Sequence, residues 1–509
     1  MAQSASLATP HLHTFPPAIA HLAAAFNVRR LELTLAQGRW ADGDPLPPRE
    51  LGPLPPPGLE LRVQFCAGAR DTQRAFSGLA GALAPLLCPV ASSAPELALL
   101  AAPRVGWFAG EGVAAPPGQQ VQVYLPQQAL CTNSLAAWQR LAPCGARAGL
   151  AAALSAEAFA AAPFRWLGLQ LLRSEGGNGT CGSRLELRQT LTAALETAPT
   201  SGGDLSRQLA WPPLSCPATE PTSVVLPLPE GKPAAAGCRQ VDTPLGPLQA
   251  CDPGSMPRLA VPTASAMALP APPQLQVASH VVQLSSHRGE LVLAARVQLG
   301  GGNASAAGAP PALLHVMQLV PWQLPVQEGS LRLEVDGQLV LPAPGPLLAW
   351  ASLPLASQSM RRPAALELLL RLPQAVAVAA QQPQQHEVRV RLAFTKAFVG
   401  VFDQPPDASR GVDVPPALVT LVPPACAAER RMAGGGHGGG SSDSSSPSLL
   451  QRLERQRGGS ACAGLEQARG RPGVVPLPIP DASMPFNVIC FTSTLLAVYF
   501  GGLANKLLR

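Results

Sequence analysis

The chain has 509 residues, 47% of them hydrophobic, with 58 Pro and 47 Gly against 13 Phe, 7 Trp and 2 Tyr. That length suggests two or three domains, and the Pro runs require loops or linkers between them. The net charge of +6 is modest, and Arg alternates with apolar residues, as in Val388-Arg389-Val390-Arg391-Leu392, which reads as a strand with one wet face and excludes a nucleic-acid patch.

Met1 to Phe26 has no basic stretch followed by a continuous apolar core, so it does not read as a signal peptide. Either the natural N-terminus lies upstream or entry uses the C-terminal helix, and the first is favoured. Pro17 to Phe26 predicts a short helix with Pro in its first turn. Leu31, Leu33 and Leu35 alternate with polar residues as in a half-buried strand, and Leu59 to Phe65 and Val121 to Leu125 repeat the pattern. Ser134 to Leu141 predicts a short capped helix, and Leu185 to Leu195 a further helix. From Cys216 to Pro273 the chain turns Pro-rich, as a linker or a long surface excursion does.

A second β-rich block follows. Val281 to Leu299 carries two strand-like runs, and His386 to Phe394 alternates. Asp336-Gly337, between Ser330 to Val335 and Gln338 to Leu341, predicts a hairpin, because this pair supplies the positive φ angles of a type I′ turn. Regularly spaced strands with turn signals suggest a sandwich. Residues 428–475, with their Gly and Ser tracts, read as disordered. Met484 to Leu503 is about 20 residues without a charge, long enough to span a bilayer as a helix. Lys506 and Arg509 follow it, which places the tail in the cytosol and the preceding chain in the lumen. A buried helix of a soluble domain and a GPI-attachment signal are the rival readings of this segment.

Eleven cysteines, at 66, 88, 131, 144, 181, 216, 238, 251, 426, 462 and 490, include no CxxC pair. Zinc and thioredoxin-like sites lose their main support, and the wide spacing suits long-range disulfides in an oxidising compartment. The odd count leaves one thiol free or paired to another chain, and Cys490 in the apolar tail reads as free. Asn178-Gly-Thr180 and Asn303-Ala-Ser305 are glycosylation sequons in Gly-rich stretches. Catalytic motifs fare poorly. His437-Gly-Gly-Gly440 looks like a lipase oxyanion loop, but no strand precedes it and no Gly-x-Ser-x-Gly elbow exists. The many possible Cys/His pairs have no recognisable local setting, so structural cysteine is the better reading. His280, His287, His315 and His386 sit on strand-like runs and read as packing or surface residues, with no metal or cofactor implied.

The segment Leu477-Pro-Ile-Pro-Asp481-Ala-Ser-Met484, followed by Pro485-Phe-Asn-Val-Ile-Cys490, closely resembles the membrane entry of the PIG-T family of GPI transamidase subunits. Further blocks match in family order: Leu31 to Trp40, Cys131-Thr-Asn-Ser-Leu-Ala-Ala-Trp138 with Leu141-Ala-Pro-Cys144 and Ala148-Gly-Leu150, Glu186 to Leu191, Val320-Pro-Trp322, and Pro406-Asp407 with Arg410-Gly411. The resemblance implies a non-catalytic accessory subunit that scaffolds the catalytic PIG-K-like subunit in the endoplasmic reticulum, where GPI is joined to precursor proteins. It also implies an intersubunit disulfide through Cys131, with Cys144 and Cys181 structural; an internal Cys131–Cys144 bridge is the alternative. Asp481, Ser483 and Asn487 are placed either to hydrogen-bond GPI head-group oxygens or to cap the helix and pack on neighbouring subunits. The family usually begins with a signal peptide and an extra strand region, has a more ordered stretch before the membrane motif, and carries a longer cytosolic tail.

The expected architecture is α+β, mostly β: two β-rich, sandwich-like lumenal units and one C-terminal transmembrane helix. Its segments are 1–215, a Pro-rich linker or loop at 216–275, a second unit at 276–427, a disordered insert at 428–475, and the membrane motif and helix at 476–509. The expected partners are the other GPI transamidase subunits, the GPI lipid and the membrane. A generic single-pass lumenal glycoprotein with another partner is the rival reading.

Overall fold

The computed structural model describes residues 2–6, 16–38, 54–66, 71–87, 99–102, 119–126, 130, 132–142, 156–175, 181–194, 224–227, 238–243, 246–251, 274–299, 312–327, 329–341, 348–353, 362–372, 384–400, 411–422, 466–478 and 483–508. The chain is mostly β, with several sheets and one apolar C-terminal helix, as its alternating patterns require.

The first unit is one seven-stranded sheet with helices on one face. In chain order it contains β1 (Ala2–Ser6), α1 (Pro17–Ala25), β2 (Val28–Gly38), β3 (Gly58–Phe65), α2 (Thr72–Leu87) and β4 (Leu99–Ala101). It continues with β5 (Gln120–Leu125), α3 (Thr132–Arg140), α4 (Ala156–Ala161), β6 (Phe164–Glu175) and β7 (Cys181–Ala193). The strand order is β1-β7-β6-β2-β3-β5-β4, antiparallel throughout. Leu31, Leu33 and Leu35 of β2, with their counterparts on β3, β5, β6 and β7, point to one face. There they meet Ile19 of α1, Phe76, Leu79 and Leu83 of α2, Trp138 of α3 and Phe159 of α4. Side chains alternate across a strand, so the charged residues of the same strands fall on the opposite face.

The helix expected over Leu185 to Leu195 is a strand. Leu185, Leu187, Gln189 and Leu191 of β7 are buried at a period of two, and β7 is hydrogen-bonded between β1 and β6. Strong helix formers such as Glu186, Leu187, Arg188 and Gln189 yield to tertiary pairing there.

Between the units, β8 (Val224–Pro227), β9 (Cys238–Thr243) and β10 (Gly246–Cys251) form a small sheet, with Cys238 bonded to Cys251 opposite it. The described residues of the Pro-rich region therefore hold structure of their own.

The second unit is a sandwich of two five-stranded sheets. One carries β11 (Leu275–Gln283), β12 (Arg288–Leu299), β14 (Arg332–Val335), β15 (Gln338–Leu341) and β18 (Gln384–Thr395), in the order β11-β12-β18-β14-β15. The other carries β13 (Leu313–Val320), β16 (Leu348–Ser352), β17 (Ala364–Arg371), β20 (Leu418–Val422) and β21 (Glu466–Arg469), in the order β16-β17-β13-β20-β21. Leu293, Val297, Val390 and Phe394 from one sheet pack on Leu314, Leu366, Leu368 and Val419 from the other. At the Asp336-Gly337 turn the φ angles are 51° and 78°, as a type I′ hairpin needs. The Asp336 carboxylate accepts from the Glu387 amide at 2.8 Å and shares a 2.8 Å hydrogen bond with His386 Nδ1.

Part of the segment expected to be disordered is built into this sandwich. β21 extends one sheet, and β22 (Gly473–Val475) pairs with β19 (Val412–Val414). Residues 466–475 thus form a strap along β11. Leu275 donates to the Glu466 carboxylate, and Ser279 Oγ donates to the Arg471 carbonyl at 2.8 Å. Gly411 has φ +87°, and a Cβ there would overlap the Val475 carbonyl, so only glycine lets β19 meet the strap. The last element is α5 (Ser483–Leu507).

Replacing Asp336 with Ala removes both hydrogen bonds and strains the left-handed residue. We expect Asp336→Ala to cost about 1–3 kcal/mol, read as a lower thermal midpoint.

Candidate functional site

Two regions concentrate polar chemistry: the contact between the units and the approach to α5. The first is built on the helix-free face of the seven-stranded sheet. Glu32, Arg62 and Gln122 stand opposite one another on β2, β3 and β5, and Gln170 of β6 stands opposite Glu32. Glu60, two residues before Arg62, is 4% exposed. Its Oε1 accepts from Arg62 Nη2 at 2.9 Å and from Gln122, and its Oε2 accepts from Arg469 Nη2 of the strap at 2.8 Å. An apolar patch surrounds the pair: Leu99, Ala101 and Tyr124 from the first unit pack on Met317, Leu319 and Leu418 from the second.

Burial raises the Glu60 pKa, but the Arg469 and Arg62 guanidiniums outweigh it and hold the carboxyl below its ordinary value of 4.5. The group is therefore ionised at neutral pH, and each of its oxygens is hydrogen-bonded. Leu59 to Phe65 reads in sequence as half-buried, yet β3 is buried along its whole length. The second unit meets its polar face at Glu60, and the alternation marks two buried faces of different chemistry.

The second region starts where the strap ends. Leu477 is buried in the sandwich core, and the described chain resumes at Ser483, the first residue of α5. Phe486–Leu507 is apolar enough to cross a membrane, and at 1.5 Å per residue its 22 residues span about 33 Å. Its polar run is satisfied internally. The hydroxyls of Thr492, Ser493 and Thr494 donate to the carbonyls of Val488, Ile489 and Cys490 at 2.6–2.8 Å. Such back-bonding removes most of the cost of hydroxyls in hydrocarbon.

The other expected site residues are distributed as follows. Cys181 opens β7 and is bonded to Cys66, which follows β3, across 115 residues. Cys131, Cys144, Asn178, Asn303 and Asp481 lie outside the described residues. Positions 483 and 487 share one face of α5, four residues apart, and Asn487 is exposed. Residue 131 immediately precedes α3, which is fixed at its far end: Trp138 Nε1 donates to the Gly168 carbonyl and Gln189 Nε2 donates to the Trp138 carbonyl, both at 3.0 Å. His315 is buried in β13, His386 is held by Asp336, and His287 lies against Phe398. Among the described residues, no group of three or more His, Cys, Asp or Glu could hold a metal ion. A cavity of about 290 Å³ lies under the strap, lined by Val281, Leu293, Leu366, Val390 and Gly473 among others.

Comparison with known proteins decides the family. A model described as Gpi16 subunit, GPI transamidase component, matches residues 1–235 and 255–509. The chain belongs to the Gpi16 family. It is 24% identical to the human GPI-anchor transamidase component PIGT over 98% of the chain and 84% of that protein. The mouse protein of the same description is 25% identical over 98% of the chain and 83% of that protein. A fission yeast (Schizosaccharomyces pombe) protein described as GPI transamidase component PIG-T homolog is 61% identical over 33 residues, 6% of each chain. The collagen-binding domain of the Erysipelothrix rhusiopathiae surface protein RspB covers 78% of this chain and 88% of its own. Its TM-score of 0.17 at 9% identity carries no statement about this chain.

Two outcomes are expected at the Gpi16-family chain's inter-unit contact. Glu60→Ala strands two buried guanidiniums and should cost about 3–5 kcal/mol, read by thermal unfolding. The folded-state pKa of Glu60 lies below its unfolded value of 4.5, so its stabilisation is complete above that value and is lost as pH falls through the folded one. Thermal midpoints should fall below about pH 4.5, and Glu60→Gln should flatten that part of the profile.

Proposed function

We propose that this chain is an accessory, non-catalytic subunit of GPI transamidase that scaffolds the catalytic PIG-K-like subunit on the lumenal face of the endoplasmic reticulum membrane. The observation that carries this reading is the Gpi16 family match over nearly the whole chain, helix included. The folded body supports it. A seven-stranded sheet and a sandwich, locked by a buried ion pair, give a rigid platform, and one helix suited to a bilayer gives an anchor.

Within this reading Cys131 forms the disulfide to the catalytic subunit. Its place in the sequence supports the role: the Leu130 before it is buried, and the α3 after it is tied to β6 and β7 through the Trp138 indole and carbonyl. Lys506, in the last turn of the apolar stretch, supports a cytosolic tail and two lumenal units, where Asn178 and Asn303 meet the glycosylation machinery. Asp481, Ser483 and Asn487 contact the GPI head group where the chain enters the membrane. Asn487 is exposed there, on the same helix face as position 483.

Co-expression with the catalytic subunit tests the scaffold. Non-reducing electrophoresis should show a disulfide-linked heterodimer that disappears in Cys131→Ser. Failure of the wild-type chain to co-purify with the catalytic subunit would sink the reading. A Cys→Ala variant elsewhere in this chain that abolishes transamidation while the complex stays intact would instead assign it a catalytic thiol.

A further inference from the structure

The second unit carries an exposed apolar tip. Leu284 is 63% exposed and Phe398 is 77% exposed. They lie at one end of the sandwich, where the β11–β12 turn meets the residues after β18. The tip is rigid. The amides of Leu284 and Ser285 both donate to the Arg288 carbonyl, and Ser285 Oγ accepts from the amides of His287 and Arg288. The Lys396 amide donates to the His287 carbonyl at 2.8 Å, and the Ala397 amide donates to the Gln323 carbonyl at 2.9 Å. The His287 and Phe398 rings lie 5.5 Å apart, and Arg288 is exposed beside them.

The strap says what this end faces. It runs parallel to β11: Glu466 meets Leu275, Arg471 meets Ser279, and Gly473 meets Val281. Its direction is therefore toward Gln283 and the tip. The chain leaves the sandwich at that end, and α5 begins at Ser483, five residues after Pro478. Five residues reach at most about 18 Å. The tip and the start of the bilayer-length helix thus belong to one end of the molecule. The other exposed leucine of this sheet, Leu339, is 57% exposed and stands opposite Glu334, which pairs with Arg389 toward the far end of β18.

We propose that Leu284 and Phe398 form a second membrane contact, seated in the head-group layer of the bilayer that α5 crosses, with His287 and Arg288 facing lipid phosphates. The proposal rests on α5 being a bilayer-spanning helix. Two large apolar side chains with a cation beside them match the chemistry of an interfacial contact. Because the Leu284 amide and the Ala397 amide before Phe398 are already hydrogen-bonded, inserting the two side chains orders little further chain.

The test uses the full chain in phosphatidylcholine nanodiscs, with an environment-sensitive fluorescent amino acid at position 398, 339 or 495 and doxyl-labelled lipids as quenchers. Head-group-proximal doxyl should quench position 398 at least about twofold more than position 339, and acyl-chain doxyl should quench position 495. Quenching at 495 with 398 no more quenched than 339 overturns the membrane contact and leaves the helix reading standing. No quenching at 495 overturns both. Position 398 unquenched by lipid but shielded when co-purified subunits are present assigns the tip to a protein partner, and also overturns the proposal.

Discussion

Glu60 carries a negative charge in a buried place, and such a charge persists only if the fold supplies its counter-charges. Arg62 comes from the same strand, but Arg469 comes from a strap 409 residues further along the chain. The carboxylate is therefore satisfied only when the first sheet, the sandwich and the strap are together. An apolar contact alone tolerates sliding; a two-oxygen carboxylate shared between a guanidinium from each unit fixes register. The patch of Leu99, Tyr124, Met317, Leu319 and Leu418 supplies the area, and the ion pair supplies the alignment.

That alignment explains why the chain is legible in sequence at some places and not at others. Strands with one buried face announce themselves: Leu31, Leu33 and Leu35, or Val388, Val390 and Leu392, show the period of two directly. The Asp336-Gly337 turn is also readable, because its φ angles are a local property of those residues. Glu60 and Arg62 mislead because their environment is set by a surface more than 200 residues away in sequence. β7 misleads because its composition favours helix while its neighbours impose a ladder. The strap offers little apolar signal of its own: Glu466 to Arg469 is a strand because β20 pairs with it. For β3 and the strap the cause is a partner far away in sequence; for β7 it is the ladder it makes with β6, the strand just before it, and with β1.

The site was legible in the same proportion. The bilayer-length helix and its entry motif stand out by composition, and the family resemblance drawn from ordered blocks agrees with the match over residues 1–235 and 255–509. The pairing of Cys66 with Cys181 could not be read, since spacing does not choose among eleven cysteines. The internal satisfaction of Thr492, Ser493 and Thr494 could have been inferred. Hydroxyls in a helix have the carbonyl four residues back within reach, so three in a row need no outside partner.

The strap also makes the molecule a mechanical linkage. Thirteen residues separate Arg469, at the joint between the units, from Ser483, where the bilayer-length helix starts. The strap stretch is stitched to β20, β11 and β19, with Gly411 allowing the closest approach. A tilting helix would pull on the sandwich edge through the strap. From there the pull reaches the ion pair that Arg469 makes with Glu60 of the first unit. A change of bilayer thickness or of neighbouring helices would then be felt as load on Glu60.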